Sequence, residues 1–283
     1  MFVVALLVMV LAGCGAKADR VAPGHPCSQS DTCASPYVCE EGICVPPMVV
    51  VPEGAFMMGC NEEVDAECWD REHPYRSVDV LEFSVDVYEA TVEIYAACVE
   101  ADECSEPVSQ TEDCNWDEQG RDDHPVNCVD WYQARDFCLW LGRRLCTEAE
   151  WEKAARGTDG RKYPWGNEPA TCEHAIFNEG DEAGGPGCGT GSTWPVGSRP
   201  AGASPYGALD MLGNVWEWVE DDWHDTYDGA PADGSAWVDE PRGEHRVGRG
   251  GGSQVQGELL RASYRYPGLP EYGSAHMGIR CCG

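Results

Sequence analysis

The chain has 283 residues, 19 Lys+Arg against 50 Asp+Glu for a formal net charge of −31, and 17 cysteines. Such a charge excludes nucleic acid and an anionic membrane surface as direct partners, because both are polyanions. Cysteine in this number persists as disulfide only in an oxidising compartment, and the length suffices for one large buried core with a small appendage.

Phe2 to Leu11 is an apolar run too short to span a bilayer, and it ends in Leu11-Ala12-Gly13-Cys14. Small residues before a cysteine resemble a bacterial lipoprotein cleavage box, so residues 1–14 read as a lipoprotein signal peptide with Cys14 as the lipidated first residue; an ordinary secretory signal with an incidental cysteine is the alternative. No basic residue precedes the run, so the true start is expected further upstream. Gly15, in place of an aspartate, points to an outer-membrane or cell-surface lipoprotein of the bacterial cell envelope, touching membrane only through its lipid. Residues 15–26 form a tether.

Setting Cys14 aside leaves 16 of the 17 cysteines, an even number. Cys27, Cys33, Cys39 and Cys44 make residues 27–45 a small disulfide module with too few apolar residues to fold otherwise. Three connectivities are open; similarity to small extracellular cysteine-rich modules favours 27 with 39 and 33 with 44. A zinc site is the rival, disfavoured by the lack of a Cys-x-x-Cys pair. Pro46-Pro47 then reads as a stiff hinge into the main domain, residues 48–283.

That domain opens with a β-rich stretch, Val49 to Cys60, and Cys60 is expected to pair with Cys68 around an acidic loop. Val78 to Val87 alternates as one strand. Thr91 caps a helix with Ile94, Tyr95 and Cys98 facing inward, and Cys98 and Cys104 close its far end. Cys114 is expected to reach Cys128. From Asp130 the pattern is that of a second helix, with Gln133 completing a capping box and Ala134, Phe137, Cys138 and Leu141 on one face until Gly142. A third follows at once: Thr147-Glu148-Ala149-Glu150 is a capping box with acidic residues in the first turn, and Gly157 supplies the stop. Asp130 and Glu148 therefore read as caps, not as an acid and base pair, and His124 as a hydrogen-bonded structural histidine. Beyond Thr158 the text is Gly-rich and aromatic, with Cys172 and Cys188 as a staple, so regular structure is expected to be low.

The third helix, GRRLCTEAEWEKAARG, is followed by YPWGN at 163–167, PYGALDMLGNVWEW at 205–218, RGGGS at 249–253 and GIRC at 278–281. This order of motifs resembles the formylglycine-generating enzyme, or sulfatase-modifying factor, family from about Val50 onward. The resemblance implies an α+β, disulfide-rich fold of the C-type-lectin-like kind. It also implies a disulfide between Cys138 and Cys281, leaving Cys146 and Cys282 to form a second. It further implies a structural calcium held by the carbonyls of Leu212, Gly213 and Val215 with the carboxylate of Glu217, since calcium takes six to eight oxygens and a curled loop supplies several at once. A packed turn with two core tryptophans is the alternative. The family's first calcium site maps onto Ala175 to Asn178, where Ile176 replaces an expected Asn, leaving Asn178 or Asp181 as substitutes.

The family oxidises a substrate cysteine with two copper-binding cysteines placed just after a Gly-Gly-Ser segment. Copper(I) wants soft thiolates, yet Gly251-Gly252-Ser253 is followed here by Gln254, Gln256 and Glu258, and no cysteine lies between Cys188 and Cys281. Copper is therefore not expected, and neither is non-haem iron, because no two histidines share a helix face. The resulting expectation is a lipid-anchored binding or scaffold protein on this fold, its groove near Ser253, Gln256, Arg261 and Tyr264 reading a peptide or glycan. The alternative is an oxidoreductase converting cysteine to formylglycine, or an enzyme of altered chemistry.

Overall fold

The computed structural model describes residues 23–28, 33–34, 37–40, 43–109, 111–180 and 184–283. Cys14 with its leader, most of the tether and Asp181 lie outside the described residues. A hairpin of β1 (Val38–Glu40) and β2 (Ile43–Val45) places Cys39 opposite Cys44. The disulfides Cys27–Cys39 and Cys33–Cys44 pin it. Pro46-Pro47 does not hold this module away from the rest. The Tyr37 hydroxyl shares a 2.6 Å hydrogen bond with Thr91, and Arg143 reaches both Glu40 and the Pro46 carbonyl. Gly24 lies so close to Ala97 and Trp140 that a side chain there would clash. The module shares the core of the domain because its few apolar groups need a surface to cover.

The opening stretch divides into β3 (Met48–Val51) and β4 (Gly54–Met58). The single strand expected over Val78 to Val87 is likewise two, β5 (Arg76–Val80) and β6 (Phe83–Asp86). The break falls at Leu81, which is 77% exposed: β5 pairs with β4, whereas β6 crosses to a different sheet, and the intervening corner turns outward. The apolar positions change phase across Leu81-Glu82, from Val78 and Val80 to Phe83, Val85 and Val87, and that slip was the available signal of the break.

Thr91 caps α1 (Val92–Glu100) through the Ile94 N–H. Asp130 and Gln133 form a reciprocal box on α2 (Trp131–Trp140), with Ala134, Phe137 and Cys138 fully buried. After the two-residue β7 (Arg144–Leu145), Thr147 and Glu150 box the start of α3 (Glu148–Arg156), which ends at Gly157 with φ +72°. Among the described residues, only 3-10 turns and isolated bridges occupy the path to β8 (Trp216–Asp222). The chain closes with β9 (Arg246–Arg249), β10 (Arg265–Gly268), β11 (Met277–Gly278) and β12 (Cys281–Cys282). The fold is α+β, with four-stranded sheets of order β10-β9-β8-β11 and β3-β6-β12-β7, and the pairs β4-β5 and β1-β2. All eight bridges join the cysteines expected to pair, and Cys138–Cys281 and Cys146–Cys282 tie α2 and β7 to the last strand with Cα separations of 5.5 and 4.9 Å.

Periodicity did not foresee that α3 would bury its charges. Glu148 accepts from Arg265 at 2.6 and 2.8 Å, from Arg249 at 3.2 Å and from the Tyr227 hydroxyl at 3.1 Å. Glu152 accepts from Arg249 at 2.6 Å, from Arg156 at 3.0 Å and from the Gly59 N–H at 2.7 Å. Burial alone would raise the Glu148 pKa, but Arg265 and Arg249 hold it below the usual value. Beside them Arg261 forks onto Glu72 at 2.6 and 2.7 Å and reaches Asp65 at 2.9 Å. Removing one partner of such a pair strands the other charge in the core, at a cost of about 3–5 kcal/mol. Glu152→Gln, which keeps the shape, is therefore expected to destabilise by about that amount in urea unfolding. Glu67→Gln, at a half-exposed pair with Lys162, should cost about 0–1 kcal/mol. Equal losses would show that burial does not set these energies.

Candidate functional site

Two features adjoin the sheet that carries β8: a tight loop at the start of that strand and a cleft lined from β8, β10 and β11. The loop turns through left-handed backbone at Asp210, Gly213 and Asn214. At Gly213 a Cβ would meet the Ile176 carbonyl oxygen at 2.5 Å, so only glycine fits. Asn214 is its hub: its N–H donates to Ile176 at 2.7 Å, its carbonyl accepts from Ser253 at 2.8 Å, and its side chain donates to Glu89 at 2.7 Å. The Val215 N–H also donates to Glu89, at 3.1 Å.

Glu217 does not point free into this loop. Its carboxylate accepts from Arg280 at 2.8 to 3.0 Å and from the Trp151 indole at 2.6 Å, all fully buried. The carbonyls of Leu212 and Gly213 accept no hydrogen bond from the described residues. Asp210 and Glu89 lie beside this pair: Glu89 accepts from Asn214 and Val215, Asp210 accepts from the Gly197 N–H and is opposed by Arg280 and, more weakly, Arg199, so that with Glu217 three buried carboxylates crowd around Arg280. Burial pushes Asp210 up to about 6, with Glu217 adding to the rise, and lifts Glu89 well above the usual range, with Asp210 and Glu217 adding to it. A hard cation held at this loop would draw on the free carbonyls and Asp210 sooner than on Glu217, which Arg280 and Trp151 engage. Among the described residues, three metal-type ligand atoms come within 4.8 Å of one another only at Cys27, Cys33 and Cys44 and at Cys60, Asp65 and Cys68, where the sulfurs are spent in disulfides. The Ala175 to Asn178 region is closed by backbone and side-chain bonds: Phe177 accepts from the Cys188 N–H, and the Asn178 amide oxygen accepts from the Gly180 N–H.

After Gly250 and Gly251, both left-handed, Ser253 is buried and its backbone is tied to Asn214 and Gly187. Gln256 is exposed at the head of a 3-10 turn, Gly257–Leu259. Arg261 is not a groove residue, because both terminal nitrogens are consumed by Glu72 and Asp65 inside the core. Tyr264, by contrast, walls a cleft of about 580 Å³ with Trp216, Tyr266, Leu269, Tyr272 and His276. Trp216 packs between Tyr264 and Tyr266 with ring centroids at 5.8 and 5.3 Å. Tyr266 and Tyr272 are 43% and 65% exposed at the rim. Ser253 faces a separate hollow of about 120 Å³, which meets the cleft at His276. Sequence reasoning ran the groove from Ser253 to Tyr266 and passed over Tyr272, although the aromatic spacing in YRYPGLPEY was the available signal. His124, bonded to Thr193 at 2.9 Å and Arg121 at 3.0 Å, is structural; burial and then Arg121 lower it to about 4.

Residues 38–283 match the sulfatase-modifying factor enzyme 1-like domain. The chain belongs to that family. Within the sulfatase-modifying factor family it is 34% identical over 173 residues to the formylglycine-generating enzyme of Bos taurus, covering 57% of this chain and 44% of that one. It is 35% identical over 169 residues to the inactive C-alpha-formylglycine-generating enzyme 2 of Bos taurus, covering 56% and 49%. It thus spans about half the length of these curated relatives. Among solved structures, PvdO from Pseudomonas aeruginosa superposes with a TM-score of 0.72 at 30% identity, covering 84% of this chain and 94% of that one.

The raised carboxylates of this sulfatase-modifying factor domain set a pH dependence. Asp86 is pushed to about 6 and Asp221 to about 7 by burial, alongside Asp210 and Glu89. Each binds its proton more tightly folded than unfolded, so stability is fullest below the unfolded pKa near 4 and is lost as pH rises toward 7. His124 and His276, whose folded pKa values are depressed by burial, act in the opposite sense below about 6.5 and offset part of the effect, while Glu93 and Asp130, also raised by burial, add to it. In a chelating buffer the melting temperature is expected to fall from pH 5 to pH 7.5, and Asp221→Asn should flatten the slope. A rising melting temperature across that range would contradict this account of the buried carboxylates.

Proposed function

We propose that this chain is a non-catalytic binding member of its family, held at a bacterial outer membrane or cell surface by a lipid on Cys14, with the aromatic cleft reading a peptide or glycan. One observation carries the reading: the segment after Gly251-Gly252-Ser253 has no thiol, and all 16 cysteines from Cys27 to Cys282 are paired in disulfides. Sulfur in a disulfide is neither a thiolate nor a copper(I) ligand, and the amides of Gln254 and Gln256 prefer harder ions. With copper and a sulfatase-type cysteine peptide supplied, no aldehyde is expected to form; turnover above a no-enzyme control would overturn the reading. Cys14→Ser should move the protein from the membrane fraction to the soluble one, and unchanged fractionation would count against the anchor.

Calcium is proposed as a structural ion at the loop, with carbonyls of Leu212, Gly213 and Val215 and the carboxylate of Asp210, because three buried carboxylates, Asp210, Glu89 and Glu217, crowd there around Arg280. Binding to the folded state alone raises stability by mass action. The melting temperature at pH 7 is expected to climb with calcium, and Asp210→Asn should blunt that climb. Glu217→Gln should instead lower stability with or without the ion, since its partner is Arg280. A calcium response abolished by Glu217→Gln and untouched by Asp210→Asn would reverse the assignment.

A further inference from the structure

The cleft has a chemical character unlike the rest of the molecule. In a protein of net charge −31, no Asp, Glu, Lys or Arg among the described residues lines it. An anion would meet the overall negative field with no cationic side chain to hold it. A cation would lack a carboxylate to accept its N–H groups, and leaving such donors unmet is costly. What the walls do offer is aromatic surface together with neutral polar atoms. The indole N–H of Trp216 and the hydroxyls of Tyr264, Tyr266 and Tyr272 have no hydrogen-bond partner among the described residues, and His245 and His276 stand beside them.

Resting on the reading of the chain as a binding protein, we infer that this cleft takes a neutral saccharide. A pyranose ring has an apolar C–H face and a periphery of hydroxyls that both donate and accept. The first suits the exposed ring of Tyr266 or Tyr272; the second suits phenols, indole and imidazoles, each of which can donate, accept or both. Such a ligand leaves no charge uncompensated, and the cavity lies in the range that encloses small ligands. A peptide is the weaker occupant. It would be expected to extend the sheet at β10, which is an edge strand, but Pro267 has no N–H to continue the ladder.

The test is a tryptophan-fluorescence titration of the full chain with cellotetraose, maltotetraose and chitotetraose, against tetragalacturonate and an uncharged Ala-Gly peptide. Saturable binding of at least one neutral tetrasaccharide is expected, with tetragalacturonate at least tenfold weaker. Tyr266→Ala and Tyr272→Ala, both at exposed positions, should each lower affinity about tenfold, equivalent to about 1.4 kcal/mol, with the melting temperature unchanged. No binding of any neutral tetrasaccharide, or affinity indifferent to both tyrosines, would overturn the inference. Binding of the peptide alone, lost in Tyr266→Ala, would overturn it while leaving the binding function intact; aldehyde formation in the copper assay would instead remove the reading on which it rests.

Discussion

Buried pairing between arginine and carboxylate is the constraint from which this fold takes its shape. Arg249, Arg261, Arg265 and Arg280 all come from the last strands and loops and all are fully buried. Their partners lie at the opposite end of the sequence or in the middle: Glu72 and Asp65 before β5, Glu148 and Glu152 on α3, Glu217 on β8. A hydrophobic contact tolerates rotation and sliding, whereas a guanidinium fork accepts one direction and one distance. Short strands joined by long loops have little ladder bonding to fix their register, and these forks fix it. By the general energetics of buried ion pairs the gain lies in specificity more than in net stability, because desolvation offsets much of the attraction.

What could be read in the sequence was local. Capping boxes at Asp130 and Thr147 are written within four residues, and the structure forms both. Cys60 with Cys68 and Cys98 with Cys104 were read from their nearness in the chain, the crossed pairs of residues 27–45 from similarity to small cysteine-rich modules, and Cys138 with Cys281 from the family resemblance. Partners brought together by topology were not legible. Arg261 reads as an exposed cation next to a glycine-rich turn, and only the approach of Glu72, 189 residues away, makes it a core residue. Glu148 reads as an N-terminal helix charge, and its two arginines, 101 and 117 residues on, cannot be inferred from helix rules. The same limit hid the partner of Glu217: the loop resemblance offers it as a ligand, while the Arg280 that pairs with it comes from the residue before β12.

The cleft and the loop are connected through β8. Asn214 bonds the segment that begins at Ser253, and Trp216, two residues on, is the cleft's back wall. Movement of the loop would therefore be felt at the ring against which Tyr264 and Tyr266 rest. The glycine-rich turn at Gly250 to Gly252 is followed by the amides of Gln254 and Gln256 and, further on, by the phenols of Tyr264 and Tyr266.

The two long bridges have a bearing on how the molecule comes to exist. Cys138 and Cys146 find their partners 143 and 136 residues later, at adjacent positions on β12. Until the intervening half has entered the oxidising compartment, both thiols have no correct partner, and α2 and β7 must wait unlocked. Near neighbours such as Cys98 and Cys104, six residues apart, can oxidise at once. The order of synthesis thus imposes an order of covalent closure: small loops first, the whole domain last and in one step, when a two-residue strand slides between β6 and β7. An oxidant that acts too early would meet Cys138 and Cys146 together, only eight positions apart, and could seal the chain in a form that β12 can no longer enter.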